Sequence, residues 1–149
     1  MPHLRPILLA EDNPNDAELV LSALHGMKIS NQIVVVGDGE QALDYLYSRG
    51  AYAGSKRPTP AVVLLDLKMP RVDGREVLRQ LREDPALSMT PVVVFTSSKE
   101  EIDVLQSYRL GANAFVVKPV DFQDFIIAVT KLGSFWATLN EPPPSIVPT

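Results

Sequence analysis

One stretch of the sequence decides the fold: Ala61-Val62-Val63-Leu64-Leu65-Asp66-Leu67-Lys68-Met69-Pro70. An apolar run leads straight into a carboxylate, and a proline ends the segment soon afterwards. A continuous apolar run of this length is typical of a strand in a parallel sheet that helices cover on both faces. Because ligands of such sheets bind beyond the carboxyl ends of the strands, we expect Asp66 to lie in a functional site. The alternative is an aspartate that caps a helix or a turn.

Similar apolar runs recur along the chain and alternate with segments of helical periodicity. The predicted strands cover residues 6–10, 32–36, 61–66, 91–96 and 114–119, and a helix follows each of them, the last from about 121 to 139. Strands that alternate with helices form a parallel sheet through right-handed crossovers. We therefore predict an α/β fold with a doubly wound, five-stranded parallel sheet, flavodoxin-like order 2-1-3-4-5 and five helices.

The length fits a single domain, because 149 residues suffice for one hydrophobic core. We expect this domain to span residues 1–140. Three consecutive prolines after Glu141 cannot continue the last helix, so residues 141–149 are expected to form a proline-rich, mobile tail with no output domain. Residues 48–60 are predicted to form a long loop.

Composition excludes several classes of protein. The chain has no cysteine, which rules out disulfides and thiol catalysis and fits a cytoplasmic location. No segment approaches the roughly 20 apolar residues of a membrane span. A net charge of −4 without a long basic block argues against nucleic-acid binding.

The predicted strand order brings polar side chains to one edge of the sheet. Strands one and three are neighbours in this order, so Glu11, Asp12 and Asp66 are expected to converge there. Thr96 and Lys118 follow the fourth and fifth strands on the same side. Five polar residues from four strands therefore form the candidate site.

Three carboxylates in one cleft repel each other unless cations compensate them. A divalent cation and Lys118 together supply three positive charges against three negative ones. This balance predicts a Mg²⁺ site, because Mg²⁺ prefers carboxylates, water and phosphoryl oxygens as ligands. Asp66 is then a carboxylate nucleophile that accepts a phosphoryl group.

The chain carries five short motifs in a fixed order. In that order they resemble the response-regulator receiver domains of two-component signalling, the family that includes the chemotaxis regulators, over nearly the whole chain. The resemblance implies a single-domain, cytoplasmic phosphoacceptor that signals, and not an enzyme with a separate substrate. The motifs are Ile7-Leu8-Leu9-Ala10-Glu11-Asp12-Asn13, Leu64-Leu65-Asp66-Leu67-Lys68-Met69-Pro70, Asp73-Gly74, Phe95-Thr96-Ser97 and Val117-Lys118-Pro119.

By this resemblance each site residue has an expected role. Asp66 is the phosphoacceptor, and it holds Mg²⁺ together with Glu11, Asp12 and the backbone carbonyl of Lys68. Lys118 and Thr96 contact the phosphoryl group.

The resemblance also implies a switch and a special peptide bond. Thr96 would move inward on phosphorylation, and the ring of Phe115 would rotate into the space that it vacates. The Lys118–Pro119 bond would be cis, which only a following proline makes plausible.

A subgroup of the family is more similar still: the stand-alone regulators that partner phytochrome-type histidine kinases. Its marks here are Glu11-Asp12-Asn13-Pro14 with Asp16, the long 48–60 loop, the run from Asp73 to Leu78 and the late Phe135-Trp136 pair. This subgroup implies a bacteriophytochrome as the partner kinase. Lys68 departs from the family, in which asparagine is common, and its effect on dephosphorylation is open.

Two other functions fit parts of the pattern. A binding-only pseudo-receiver would have the fold without the chemistry, but all five site residues are present. A Mg²⁺-dependent aspartyl phosphatase also begins with an aspartate at a strand end. It would usually need a second acidic residue at position 68 as general acid, and Lys68 cannot take that part.

The last predicted helix has more apolar residues than one face can bury against a sheet. A stripe of residues at three- and four-residue spacing is expected to face the sheet. The residues left over predict a homodimer through this helix, with the preceding helix and strand beside it, or else a docking surface for the kinase. They are Phe122, Ile126, Ile127, Phe135 and Leu139.

Overall fold

The computed structural model describes residues 4–54 and 58–145, and it confirms the predicted sheet. Five parallel strands lie in the order β2-β1-β3-β4-β5. Ala10 is opposite Val36 on one side and Leu65 on the other, so β1 and β3 end side by side. The strands are β1 (Ile7–Ala10), β2 (Ile33–Val36), β3 (Val62–Leu65), β4 (Val92–Thr96) and β5 (Ala114–Val117).

Five α-helices connect and cover the strands, as the alternating pattern predicts. Within the predicted loop at 48–60, residues Gly50–Tyr52 form a short 3₁₀ turn, and residues 55–57 lie outside the described part of the chain. After α5 the chain continues as a π-helical segment, Ser134–Leu139, so the predicted end of the last helix near residue 139 is confirmed. The helices are α1 (Pro14–Gly26), α2 (Gly39–Tyr47), α3 (Gly74–Glu83), α4 (Glu101–Arg109) and α5 (Phe122–Gly133).

The core consists of two apolar layers, one on each face of the sheet. Alternation along the strands divides β1, with Leu8 and Ala10 in one layer and Ile7 and Leu9 in the other. The first layer includes buried side chains of α2 and α3, and the second includes those of α1 and α5. This covering on both faces explains why the strands read as continuous apolar runs.

Side-chain caps fix where four of the helices begin. Asn13, Asp38, Asp73 and Asp121 each accept hydrogen bonds from backbone N–H groups in the first turn of α1, α2, α3 and α5. Such caps satisfy N–H groups that have no partner within the helix. These helices begin at the edge where the strands end, which places helix N-termini around the candidate site.

Helix α4 is attached differently from the others. Its buried residues are Asp103 and Ser107, both polar, and Glu100 at its start makes no capping hydrogen bond through its side chain. Asp103 accepts hydrogen bonds from Ser98, which follows β4, and from Arg75 of α3. These bonds lower the pKa of the Asp103 carboxyl.

The described part of the C-terminal segment contacts the start of the chain, and the mobility of the proline-rich tail stays a prediction. The Arg5 guanidinium donates from Nη1 to the carbonyl of Pro143 at 2.7 Å and from Nε to that of Thr59 at 2.6 Å. The backbone N–H of Thr59 donates to Ser145 Oγ at 3.0 Å. These hydrogen bonds hold residues 143–145 beside the start of β1. The proline content of the segment gave no indication of them. Residues 146–149 lie outside the described range.

Among the described residues, no helix combines the length and the apolar character that crossing a membrane requires.

The start of α3 lies directly against the end of β3. The N–H of Gly74 donates to the carbonyl of Leu67 at 2.9 Å. A Cβ at position 74 would lie 2.2 Å from the carbonyl oxygen of Asp66. Only glycine permits this close approach of the helix to the backbone that carries Asp66.

We therefore expect Gly74→Ala to lower the free energy of unfolding by about 1–3 kcal/mol, because α3 must move away from the Asp66 backbone. Urea unfolding followed by circular dichroism measures this change. Gly26→Ala is the matched control, since nothing lies within 4 Å of a Cβ at that helix position, and it should leave stability unchanged or slightly higher. Equal urea midpoints for the wild type and Gly74→Ala would show that this close contact does not contribute to stability.

Candidate functional site

The two paired strand ends, β1 and β3, bring three carboxylates together. Backbone hydrogen bonds from Glu11 to Val36 and from Asp66 to Ala10 extend the ladder by one residue beyond each strand. One oxygen each of Glu11, Asp12 and Asp66 lies within 4.8 Å of the others. Glu11 and Asp66 are buried, whereas Asp12 is exposed.

This set of oxygens fits a hard divalent cation. Carboxylates are the ligands that Mg²⁺ prefers, and the exposed Asp12 leaves a side of the cluster open to water. Burial raises the pKa of Glu11 to about 7, against the hydrogen bonds that its carboxylate receives from Lys118 and from the backbone N–H of Asn13. Burial thus disfavours the charged form of Glu11, and a bound cation would favour it.

Lys118 brings a buried ammonium from the end of β5 into this cluster. Its Nζ lies 2.5 Å from Glu11 Oε1 and 2.9 Å from Asp66 Oδ2. The backbone N–H of Lys118 donates to the carbonyl of Thr96 at 2.7 Å, which fixes its position next to β4. Burial alone would lower the pKa of Lys118, but hydrogen bonds to the surrounding carboxylates raise it above its ordinary value.

Thr96 contacts Asp66 from the other side. Its Oγ1 donates to Asp66 Oδ1 at 2.8 Å, and the side chain is fully buried. The hydroxyl thus contacts Asp66 directly, and its expected movement on phosphorylation stays a prediction. Phe115 is partly buried and packs against the first apolar layer.

Lys68 presents its backbone and not its side chain to the site. Its N–H donates to Asp66 Oδ1 at 3.3 Å, while the side chain is exposed. The expected role of its carbonyl as a metal ligand stays a prediction.

Asp16 is the residue of this site whose contact the sequence analysis missed. Its Oδ2 lies 2.9 Å from Lys118 Nζ, across 102 positions of sequence. In the sequence alone, Asp16 is only a mark of the phytochrome subgroup. The signal was the cap at Asn13, which places Asp16 in the first turn of α1 at the edge where β5 delivers Lys118.

The peptide bond after Lys118 differs from expectation. All peptide bonds among the described residues are trans, including Lys118–Pro119, so the cis bond implied by the resemblance is wrong for this structure. The trans form of an X–Pro bond is favoured by about 0.5–1 kcal/mol unless packing selects cis. Val120, which follows, is fully exposed and gives this turn no such packing.

The leftover apolar residues of the last helix, Phe122, Ile126, Ile127, Phe135 and Leu139, are here named the α5 patch. Four of the five are exposed, with Phe122 at 61% and Leu139 at 74%. Ile126 differs, because it is partly buried against the second apolar layer. The expectation of unburied apolar surface on this helix therefore holds for four residues.

Comparison with known proteins places this geometry in a family. A sequence model of the response regulator receiver domain matches residues 7–130. Response regulator Rcp1 of Synechocystis sp. is 39% identical over 130 residues, which are 87% of this chain and 87% of that protein. The crystal structure of the Mn²⁺-bound form of Rcp1 has a TM-score of 0.87 at 37% identity and covers 93% of this chain and 99% of that chain.

Two further solved structures are also similar. The phosphorylated cyanobacterial phytochrome response regulator RcpA has a TM-score of 0.88 at 36% identity, covering 95% of this chain and 99% of that one. The bacteriophytochrome response regulator RtBRR is 56% identical with a TM-score of 0.76, covering 95% and 86%. With Asp66, its carboxylate neighbours, Lys118 and Thr96 at one edge of the sheet, the chain belongs to the response regulator receiver domain family.

Proposed function

We propose that the protein accepts a phosphoryl group on Asp66 from a histidine kinase, in a reaction that requires Mg²⁺, and that this switches a protein-interaction surface. The observation that carries the proposal is the set of contacts around Asp66. One of its oxygens receives a hydrogen bond from Thr96 and the other an ion pair from Lys118, next to Glu11 and Asp12. Two similar proteins support it, because RcpA has been solved in phosphorylated form and Rcp1 with Mn²⁺.

The chemistry follows from the charges. A carboxylate oxygen of Asp66 attacks phosphorus, the bond from phosphorus to the donor nitrogen breaks, and the imidazole leaves with that electron pair. Glu11, Asp12, Asp66 and the Lys68 carbonyl would hold Mg²⁺, which supplies positive charge to the phosphoryl oxygens when bound. Lys118 supplies one further positive charge, and the Thr96 hydroxyl a hydrogen bond.

Similarity to the phytochrome response regulator RcpA and the bacteriophytochrome response regulator RtBRR supports a phytochrome-type histidine kinase, namely a bacteriophytochrome, as the donor. We also propose a cytoplasmic location, which a chain without cysteine fits. Hydrolysis of the acyl phosphate would be self-catalysed, so the protein signals and does not turn over a separate substrate. The structure adds no support for the phosphatase alternative, because the Lys68 side chain is exposed and is not a carboxylic acid that could act as the general acid.

We expect acetyl phosphate with Mg²⁺ to add one phosphoryl group to the wild-type protein, seen as a single mass increment by intact mass spectrometry. Asp66→Asn should show none, because the amide is not a nucleophile for phosphorus. Asp12→Ala is the metal control: it should bind Mg²⁺ at least about tenfold more weakly in a titration, since a charged ligand is lost, yet remain folded. A phosphorylated Asp66→Asn protein would show the acceptor to be misassigned, and an unmodified wild type would favour the pseudo-receiver.

The proposed switch couples Asp66 to Thr96 and Phe115. A phosphoryl group on Asp66 offers oxygens to the Thr96 hydroxyl, which biases an existing equilibrium between two arrangements of β4, α4 and β5. In this structure Thr96 donates to Asp66 and Phe115 is partly buried, so both contacts could change when a phosphoryl group is added to Asp66.

Thr96→Ala is therefore expected to accept the phosphoryl group but to lose the phosphorylation-dependent shifts of α4 and β5 amides in ¹H–¹⁵N NMR spectra. The reason is that alanine offers the phosphoryl oxygens no hydrogen bond. Thr96→Ser keeps the hydroxyl and serves as the control that retains the shifts. Wild-type shifts in Thr96→Ala would refute the coupling.

We also propose a homodimer through the α5 patch, with α4 and β5 beside it. Those elements also expose apolar residues, namely Ile102 and Leu105 of α4 and Val117 of β5. Complete burial of one such side chain contributes about 1.5–3 kcal/mol. A two-fold axis sets such a patch against its own copy.

Light scattering is expected to give a dimer mass for the wild type and a monomer mass for Ile127→Glu, because a carboxylate cannot be buried at this interface without a partner. Ile127 is 51% exposed, so the substitution should leave the fold intact. Met89→Glu is the matched control, since Met89 is 63% exposed and lies outside the patch. A monomeric wild type would leave the kinase as the occupant of the α5 patch.

A further inference from the structure

The Lys118 ammonium donates hydrogen bonds to Asp16 and Asp66 and forms a third ion pair with Glu11. Its Nζ lies 2.5 Å from Glu11 Oε1, 2.9 Å from Asp66 Oδ2 and 2.9 Å from Asp16 Oδ2. An ammonium has three N–H donors. A phosphoryl oxygen that needs Lys118 must therefore replace one of these three carboxylates.

The three carboxylates differ in how easily they release Lys118. The side chains of Glu11 and Asp66 are 1% and 8% exposed, whereas that of Asp16 is 26% exposed. Water can replace the lost bond at Asp16, whereas the buried Glu11 and Asp66 depend on Lys118 and on a bound cation to compensate their charge. Asp16 is thus the partner that an arriving phosphoryl oxygen displaces.

Asp16 also changes the charge of the site. The three negative charges of Glu11, Asp12 and Asp66 balance the three positive charges of a divalent cation and Lys118. With Asp16 included the site has one excess negative charge, and the incoming phosphoryl group adds more. Asp16 therefore opposes the arrival of an anion while it holds the ammonium.

We propose that Asp16 is a positioning residue that holds the Lys118 ammonium and thereby slows phosphoryl transfer to Asp66. The inference rests on the proposed function and concerns the step itself. An Asp66 oxygen attacks the phosphorus of acetyl phosphate, the bond from phosphorus to the acetate oxygen breaks, and acetate leaves with the electron pair. During this step one N–H of the Lys118 ammonium must leave Asp16 and donate its hydrogen bond to a phosphoryl oxygen instead.

A purely structural role for Asp16 has a different signature. Asp16 is an acidic residue in the first turn of α1, where negative charge stabilises the helix N-terminus. Asp124 is the matched control, because it occupies the same position after the cap in α5 and is exposed. Neutralising either residue removes one first-turn charge, but only Asp16 is bonded to Lys118 in the structure.

The test measures phosphorylation of the full chain by acetyl phosphate with Mg²⁺, using intact mass spectrometry at several donor concentrations. Asp16→Asn keeps the shape and should raise the limiting rate constant by about 3- to 10-fold, the scale of one nearby charge at a partly exposed site. Asp16→Glu retains a carboxylate and should return the rate towards that of the wild type. Asp124→Asn should leave it unchanged.

Repeating the measurement at high salt distinguishes an effect of Asp16 on Lys118 from a general electrostatic effect on binding of the anionic donor. If Asp16 only repels the donor, its neutralisation changes the half-saturating donor concentration, and the change fades in high salt. If Asp16 holds Lys118, its neutralisation changes the limiting rate constant, and the change persists in high salt. Circular dichroism verifies folding, and Asp16→Ser replaces Asp16→Asn if that variant unfolds.

Each outcome decides between the two proposals. Faster phosphorylation of Asp16→Asn, with Asp16→Glu and Asp124→Asn near the wild type, supports the role of Asp16. Equal or slower phosphorylation of Asp16→Asn overturns it, and so does an equal acceleration in Asp124→Asn. A wild-type protein that takes no phosphoryl group overturns the proposed function itself.

Discussion

The site depends on one buried ammonium among carboxylates. Lys118 is held at the end of β5 by its backbone bond to Thr96, and its charge allows Glu11 and Asp66 to stay buried at the neighbouring strand ends. Like charges so close would otherwise repel and favour protonation. A residue from the last strand therefore makes the acidic cluster of the first and third strands possible. The parallel sheet supplies this arrangement, because it gathers the carboxyl ends of all its strands at one edge.

Backbone packing maintains that arrangement. The absent side chain at Gly74 lets α3 begin against the Asp66 backbone, and caps such as Asp73 fix where the helices start. Two apolar layers hold the sheet between helices. The position of Asp66 is thus determined by the core and by helix termini together, with little freedom in the loop that carries it.

Local pattern was enough to predict the elements and most of the site. The apolar run before Asp66 identifies β3, and the same rule places Glu11, Thr96 and Lys118 at strand ends. Features that depend on distances between remote segments were out of reach. The pairing of Asp16 with Lys118 spans 102 positions, and the Arg5 bond to Pro143 spans 138. The Lys118–Pro119 bond is trans in this structure. Resemblance to a family therefore does not determine the isomer of this peptide bond in an individual chain.

The attachment of α4 has a consequence for local stability. An element that buries only the polar side chains of Asp103 and Ser107 contributes little to the hydrophobic core. Its opening exposes little apolar surface and breaks mainly the bonds of Asp103 to Ser98 and Arg75. Segments with few buried apolar contacts open at a small fraction of the global unfolding free energy. Amide hydrogen exchange in α4 should therefore proceed by local opening, well before the sheet exchanges.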